Sequence, residues 1–277
     1  MWPLKDKVTL VTGAAQGMGR AFAHRLCAAG ARLAICDIDA ATLARTEQEL
    51  RNQGAAPLAR SFDVADAIAR RNFVDEVRRT LGPVDLLVNN AGVGTSGPFA
   101  EIAGDDWEWI RSINLDAPID LMRLVLPEML ARGDGRILNV ASVSGLMIQP
   151  HVSGYVATKH ALVGLSRAVH AEVRPFGVAV TVACPGIVKT SILDRVRART
   201  VDINSTRWLF RFGLEPDTAA TRMLKAVQRG VPLVIPNHDA RLIYALYRLC
   251  PGLWDGLLSR IAHRAFKDQQ RRGGTGA

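Results

Sequence analysis

The amino-acid sequence predicts an α/β protein with a single domain, built as a three-layer, doubly wound parallel sheet. Short runs rich in Val, Ile and Leu alternate along the chain with longer amphipathic stretches, which is typical of repeated βαβ units. The short runs lack strict alternation of apolar and polar residues, as expected for strands that helices cover on both faces. The length of 277 residues and the hydrophobic content of 48% suit one such domain.

The pattern of each run assigns it to a strand or a helix. We expect strands at residues 8–11, 32–36, 58–60, 85–88, 136–140, 178–182 and 233–235. The amphipathic stretches predict helices at residues 18–29, 66–80, 106–131, 154–174 and 217–228. Residues 1–240 are expected to form the main domain, with a long loop near 186–214, and residues 241–277 a basic amphipathic extension.

Composition and charge exclude several classes of protein. Only 22% of the residues are charged, which argues against a disordered chain. Cys27, Cys36, Cys184 and Cys250 lie far apart in the sequence, so neither a disulfide framework nor a metal site is expected. The chain begins without an apolar signal region and has no apolar stretch long enough to span a bilayer, which predicts a cytoplasmic protein.

The net charge of +9 is concentrated at the end of the chain. Residues 241–277 contain seven Lys/Arg and two Asp/Glu, and no pattern typical of nucleic-acid binding accompanies them. No nucleic-acid partner is therefore expected. The same residues could lie on a membrane surface as a peripheral contact, or cover a pocket or a subunit interface.

A glycine-rich turn follows the first predicted strand and reads TGAAQGMG from Thr12 to Gly19. Small residues at the start of a helix let a dinucleotide pyrophosphate approach the backbone amides there. The spacing differs from GxGxxG, and a plain tight turn is the alternative. Asp37 follows the second strand, where a carboxylate can bind both hydroxyls of the adenosine ribose and repel the 2′-phosphate of NADP. NAD is therefore expected over NADP, although Asp37 or Asp39 could instead cap the next helix.

A second group of polar residues lies farther along the chain. Ser142 follows the fifth strand listed above, and Tyr155 and Lys159 are spaced i, i+4 on the predicted helix at 154–174, so they share one face. A nearby ammonium favours the tyrosinate, so we expect Lys159 to lower the pKa of Tyr155. Singly, each of these residues has a structural explanation as plausible as the catalytic one. Asn114 is polar and unfavourable in the middle of a helix, which fits a functional role.

Together these motifs resemble the short-chain dehydrogenase/reductase superfamily. TGxxxGxG, then NNAG at Asn89 to Gly92, then Asn114, Ser142 and the Tyr155-to-Lys159 pair occur here in family order. The resemblance implies a Rossmann fold and hydride transfer between nicotinamide and an alcohol carbon. It implies that Tyr155 is the acid/base, that Ser142 holds the substrate oxygen, and that Asn114 anchors a water in the proton relay.

The resemblance also implies which residues bind the cofactor. Asp63 and Val64 match the family position that contacts adenine, the NNAG segment lines the adenosine side, and Pro185 with the residues after it matches the segment on the nicotinamide. The expected cofactor-binding residues are Gly13, Gln16, Gly17, Met18, Gly19, Asp37, Asp63, Val64, Asn90, Ala91, Gly92, Tyr155, Lys159, Pro185, Gly186, Val188 and Thr190.

Apolar residues in the segment after Ser142 and in the loop near 186–214 predict a lipophilic alcohol or ketone as substrate. They include Leu146, Met147, Ile148, Pro150, Ile192, Leu193, Trp208, Leu209 and Phe210. Five arginines between Asp194 and Arg211 could meet an acidic group or lie exposed on a lid. The family suggests a homodimer or homotetramer. Two alternatives remain: an NADPH-dependent carbonyl reductase, and a non-catalytic protein that binds or senses NAD.

Overall fold

Seven parallel strands form one sheet in the order β3-β2-β1-β4-β6-β7-β9 in the computed structural model, which describes residues 1–198, 207–260 and 263. The strands are β1 (Val8–Thr12), β2 (Arg32–Asp37), β3 (Leu58–Ser61), β4 (Leu86–Asn89), β6 (Gly135–Val140), β7 (Val178–Ala183) and β9 (Leu233–Val234). The strand order reverses direction between β1 and β4, so a crevice opens at their carboxyl ends. All seven predicted strands are present, with ends shifted by at most one residue.

Helices cover both faces of this sheet and complete the three predicted layers. Side chains of α1 (Gly17–Ala28), α2 (Ala40–Asn52) and α8 (Pro216–Arg229) pack in one hydrophobic cluster. Side chains of α3 (Ala67–Thr80), α4 (Gly104–Arg111), α5 (Ala117–Arg132) and the end of α6 (Ser153–Val173) pack in a second cluster. The central strands between them are buried on both sides, which explains why β1 and β7 consist of Val, Leu, Ala and Thr and carry no charged residue.

The prediction of one continuous helix at residues 106–131 is wrong, because the helix is interrupted. A π-helical turn, Ser112–Asp116, separates α4 from α5. Pro118 follows near the start of α5 and has no backbone N–H to donate to the carbonyl of Asn114. The missing hydrogen bond accounts for the wider turn, and Asn114 lies within it. Such turns are frequent at functional sites.

Helix α2 and a second, smaller sheet were not among the predicted elements. Helix α2 begins after Asp39, whose carboxylate accepts a hydrogen bond from the Thr42 amide at 3.0 Å, so Asp39 and not Asp37 is the cap. A small separate sheet pairs β5 (Gly94–Ser96) with β8 (Val196–Ala198) in parallel. This pairing brings the loop after β7 against the segment that follows the NNAG motif.

The chain continues after β9 into α9 (His238–Leu249) and a further helix at residues 251–260, with a short helix α7 (Arg207–Phe210) in the loop before α8. None of the helices that the structure describes is both long and apolar enough to cross a membrane.

Candidate active site

The glycine-rich turn joins β1 to α1 at the crevice. Gly13 and Gly17 have φ angles of +65° and +56°, in the left-handed region that favours glycine. A Cβ on Gly19 would lie 1.9 Å from the Gly13 carbonyl oxygen, so only glycine fits there. Gln16 occupies the N-cap of α1 without a side-chain capping bond, and Met18 lies in the first turn. The first amides of α1 therefore receive no capping bond from the Gln16 side chain, and the start of a helix is where backbone amides can bind an anion.

The NNAG segment is fixed to the same turn by hydrogen bonds. The Thr12 hydroxyl accepts bonds from the amides of Asn90 and Ala91, each at 3.0 Å. The Asn90 side chain donates to the carbonyl oxygens of Thr12 at 3.0 Å and Gly13 at 3.1 Å. These bonds hold the ends of β1 and β4 together at the point where the strand order reverses.

Asp37 ends β2 and is almost fully buried. Its Oδ2 accepts a hydrogen bond from the Ala15 amide at 3.0 Å, and its Oδ1 accepts one from the Asp39 amide at 3.1 Å. Arg195, in the loop after β7, places its Nη2 3.2 Å from the same Oδ1. The carboxylate that was predicted to bind the adenosine ribose is therefore paired with a cation.

A cavity of about 230 Å³ lies beside Asp37. Its walls contain six residues that the sequence analysis assigned to the cofactor: Gly13, Asp37, Asp63, Val64, Ala91 and Gly92. Five other residues complete it and were not predicted, namely Ile38, Val93, Trp109, Ile113 and Arg195. An apolar slot with a buried carboxylate at one side suits an adenosine group.

The segment after β7 closes the other side of the glycine-rich turn. The Pro185 carbonyl accepts a hydrogen bond from the Val143 amide at 2.8 Å, and Val188 is buried. A Cβ on Gly17 would lie 3.1 Å from Thr190 Cγ2, so Thr190 faces the start of α1. The Gly186 amide donates to Asn237 Oδ1 at 3.0 Å. The predicted nicotinamide segment and the predicted pyrophosphate turn are thus in contact.

Asn114 is fully buried in the π-helical turn. Its Oδ1 accepts from the Val93 amide and its Nδ2 donates to the Val93 carbonyl, both at 2.9 Å. A Cβ on Gly92 would lie 3.4 Å from Asn114 Oδ1 and 3.5 Å from Lys159 Nζ. The two side chains therefore converge on the same point beside the NNAG segment.

Ser142, Tyr155 and Lys159 lie together where β6 and α6 meet. Lys159 is buried and its Nζ donates to the Val140 carbonyl at 3.1 Å. The same Nζ lies 5.6 Å from the centre of the Tyr155 ring. The Ser142 hydroxyl accepts a hydrogen bond from the Ser144 amide at 3.1 Å, which orients it. The i, i+4 spacing thus places the ammonium beside the phenol.

The pKa values of the site correct one expectation. Burial raises the pKa of Tyr155 above its usual value, although a hydrogen bond with Ser142 opposes this. Burial also lowers the pKa of Lys159 to about 8, with nearby Cys184 acting in the opposite direction. The expected lowering of the Tyr155 pKa by Lys159 is therefore not found, because desolvation of the phenol is the largest effect on that pKa.

The residues expected to line a substrate pocket are only partly enclosed. Met147 is buried, whereas Ile148, Trp208 and Leu209 are exposed. His151, which could bond a substrate, has a positive φ of 63°, and its Nε2 is buried without a hydrogen-bond partner among the described residues. Part of the loop, residues 199–206, lies outside the described residues.

Comparison with known proteins agrees with this geometry. Residues 7–200 match the family described as short chain dehydrogenase. A Streptomyces violaceoruber protein, whose name proposes it as ketoacyl reductase 1 of the granaticin polyketide synthase, is 42% identical over 192 residues, covering 69% of this chain and 71% of that protein. Dehydrogenase/reductase SDR family member 7B of Bos taurus is 30% identical over 274 residues, covering 96% of this chain and 84% of that protein.

A solved structure shows the same fold with a cofactor. The short chain dehydrogenase/reductase SDR from Burkholderia phymatum in complex with NAD aligns with a TM-score of 0.84 and 29% identity, covering 92% of this chain and 97% of that one. The family match spans more than half of the chain and includes the glycine-rich turn, the NNAG segment and the Ser142, Tyr155 and Lys159 group. This chain therefore belongs to the short-chain dehydrogenase/reductase family and is an oxidoreductase of that family.

Proposed function

We propose that this protein interconverts a lipophilic secondary alcohol and its ketone with NAD as the hydride carrier and Tyr155 as the acid/base. The observation that carries the proposal is the group of Ser142, Tyr155 and Lys159. The buried Lys159 ammonium lies 5.6 Å from the centre of the partly buried Tyr155 ring, and the oriented Ser142 hydroxyl lies within hydrogen-bond reach of the Tyr155 phenol. A protein that only bound a nucleotide would not need this set of proton-transfer groups.

The residues around Asp37 fit a nicotinamide dinucleotide. The uncapped start of α1 suits the pyrophosphate, and the cavity beside Asp37 suits the adenosine. Asp37 supports NAD because its carboxylate can accept bonds from both ribose hydroxyls and would repel a 2′-phosphate. Arg195 is the one cation in the described wall of that cavity, and it supports the alternative of an NADPH-dependent carbonyl reductase. The NAD complex of the Burkholderia phymatum relative favours the first choice.

The mechanism follows from the positions of the side chains. Ser142 donates a hydrogen bond to the substrate oxygen and fixes it beside Tyr155. In alcohol oxidation, Tyr155 Oη accepts the hydroxyl proton, and in ketone reduction it returns that proton. A bound nicotinamide would supply the hydride acceptor or donor and, in its oxidised form, a positive charge that favours the tyrosinate. Lys159 holds a positive charge near Tyr155 at neutral pH, because its pKa of about 8 keeps it mostly protonated. In this proposal Asn114, which converges with Lys159 on Gly92, anchors a water that passes the proton onward.

The proposed substrate class rests on the apolar side chains near the mouth of the site. Met147 lies in the segment that follows Ser142, and Ile187 and Trp208 lie in the loop that follows Pro185. Apolar side chains in these two segments favour steroid, retinoid or long-chain alcohols over sugars and polyols. The name of the Streptomyces violaceoruber relative points to ketone reduction on an acyl chain, which is compatible with a lipophilic substrate.

A cofactor-reduction assay tests this function directly. Steroid, retinoid, aliphatic and sugar alcohols are supplied with NAD or NADP, and the Tyr155→Phe variant serves as the control. We expect turnover of lipophilic alcohols with NAD, reduced by roughly 10²- to 10⁴-fold in Tyr155→Phe, since that is the usual contribution of a general acid/base. Turnover only with NADP would favour the carbonyl reductase.

NAD binding measured by calorimetry separates the enzyme from a sensing protein. Tight binding without turnover of any alcohol or ketone would favour the non-catalytic alternative. Turnover that persists in Tyr155→Phe would reject the proposed acid/base. We further propose a homodimer or homotetramer, and light scattering coupled to gel filtration measures the number of subunits.

A further inference from the structure

Helix α9 is apolar on two opposite sides. On its inner side, Ala240 is buried and Tyr244 packs on a cluster that contains Leu162 and Val182. The outer side carries Leu242, Leu246 and Leu249, which are 63%, 55% and 77% exposed. Their spacing of four and then three residues places them on one helical face. The inner contact already holds α9 to the domain, so the outer leucines need another explanation.

The helix at residues 251–260 extends this exposed apolar surface. Leu253 and Leu257 are spaced i, i+4 and are 77% and 49% exposed. Trp254 is half-buried and packs edge-on against Tyr247 of α9, with ring centres 6.1 Å apart. This ring contact ties the two helices together. We name the exposed leucines of both helices, Leu242, Leu246, Leu249, Leu253 and Leu257, the leucine face.

Positive charge accompanies the leucine face. Arg248 and Arg260 are exposed and have no acidic partner among the described residues. In the whole sequence, residues 241–277 contain seven Lys/Arg and two Asp/Glu. Leucines on one side with unpaired arginines nearby form the pattern of a helix that lies in the plane of a lipid surface.

A second copy of this chain fits the leucine face less well. A two-fold interface brings the same surface of both subunits together, so Arg248 and Arg260 of one copy would lie near those of the other. The surplus of positive charge would then be doubled at the contact. An anionic lipid surface instead neutralises this positive charge. Each arginine near the headgroups then strengthens membrane binding roughly fivefold.

We propose that the leucine face binds the surface of a membrane that contains anionic lipids. The leucines enter the boundary between headgroups and acyl chains, and the arginines contact the lipid phosphates. Asn237, directly before α9, accepts a hydrogen bond from the Gly186 amide and donates one to the Ile187 carbonyl at 2.9 Å. The bound helix is therefore attached to the loop beside the candidate site. If the proposed function holds, a substrate dissolved in the bilayer would reach that loop from the lipid side.

Vesicle flotation with the full-length protein tests the lipid contact without an activity measurement. Vesicles of phosphatidylcholine alone are compared with vesicles that also contain phosphatidylglycerol. The leucine-face variant is the double substitution Leu246→Ser and Leu249→Ser. Its matched control is Ile68→Ser with Phe176→Ser, which removes two exposed apolar side chains elsewhere on the surface. A charge variant combines Arg248→Ala with Arg260→Ala.

We expect the wild type and the matched control to float with the anionic vesicles. The leucine-face variant should bind at least about tenfold more weakly, because two leucine side chains no longer leave water. The charge variant should bind roughly 25-fold more weakly to anionic vesicles and unchanged to neutral ones. Equal flotation of the wild type and the leucine-face variant would overturn the proposal. A wild type that does not float with anionic vesicles would also overturn it. In that case, a wild-type dimer in light scattering that becomes a monomer only in the leucine-face variant would identify a second copy as the occupant.

Discussion

Arg195 Nη2 lies 3.2 Å from Asp37 Oδ1 and connects the loop after β7 to the end of β2. The Arg195 side chain is about one quarter exposed, whereas the Asp37 side chain is buried. The guanidinium thus occupies the side of Asp37 where the adenosine ribose is proposed to bind. If Asp37 binds the adenosine ribose as proposed, cofactor and loop share one carboxylate, and we expect the position of the loop and the affinity for the cofactor to be coupled.

Removal of Arg195 should tighten the binding of NAD. In Arg195→Ala the ribose hydroxyls no longer compete with a guanidinium for Asp37, and we expect the Kd for NAD to fall by several-fold. This change in Kd corresponds to about 1 kcal/mol of binding free energy, which is the upper end of the range for an ion pair near the surface. Calorimetric titration with NAD measures it. Arg123→Ala removes an exposed arginine from α5 as a control, and a Kd that rises in Arg195→Ala alone would show that Arg195 assists the cofactor.

Removal of the carboxylate should shift the preference toward NADP. In Asp37→Ser the repulsion of the 2′-phosphate is lost, and Arg195 is released to contact that phosphate. We expect weaker binding of NAD and stronger binding of NADP, and loss of the NADP gain in the double variant Asp37→Ser, Arg195→Ala. Titration with adenosine 2′,5′-bisphosphate and with AMP measures both effects independently of catalysis. An NADP affinity unaffected by Arg195→Ala in this background would contradict the predicted contact.

The contact between Arg195 and Asp37 could be predicted only on the Asp37 side. Asp37 was singled out because a carboxylate after the second strand has a defined role next to a glycine-rich turn. Arg195 is one of five arginines in a loop, and its partner lies 158 residues away. No local pattern distinguishes it from an exposed lysine or arginine. The pairing of β5 with β8, which accompanies this contact, joins strands of only three residues each, too short for a hydrophobic period.

The sheet and the main candidate site residues could be predicted from the sequence because each depends on short-range constraints. Strand burial on both faces produces apolar runs, and the turn at Gly13 requires glycines at fixed positions. Tyr155 and Lys159 are brought together by helical geometry alone. The raised pKa of Tyr155 could not be predicted in this way, because it depends on how deeply packing buries the phenol. The π-helical turn at Asn114 likewise results from a hydrogen bond that Pro118 cannot make.

The buried ammonium of Lys159 should make stability depend on pH. Its folded-state pKa of about 8 is below the ordinary value of 10.5, so between these values the unfolded chain binds more protons. The penalty for burying the charge therefore decreases as pH rises through the folded pKa. Relative to Lys159→Met, the wild type should gain roughly 1 kcal/mol in free energy of unfolding between pH 8 and 9.

Urea denaturation of the two proteins at both pH values measures this difference. The comparison cancels the cysteines, because burial raises the pKa of Cys36 and Cys184 so far that both thiols stay protonated at pH 8 and 9 in both folded proteins, with or without the Lys159 charge. An unchanged difference between the two proteins from pH 8 to pH 9 would show that Lys159 titrates near its ordinary value.

Two glycines in helices should respond oppositely to alanine. Gly19 in α1 has no room for a Cβ, which would lie 1.9 Å from the Gly13 carbonyl oxygen, so Gly19→Ala must displace the turn. We expect a loss of about 2 kcal/mol or more in stability, together with weaker NAD binding. Gly164 in α6 has no atom within 4 Å of an added Cβ and is exposed, so Gly164→Ala should gain roughly 0.5–1 kcal/mol from helix propensity. Urea denaturation and NAD titration of both variants check the pair. A Gly19→Ala variant that retains both stability and NAD affinity would show that the turn can move away from α1 without cost, and that close packing there does not position the cofactor amides.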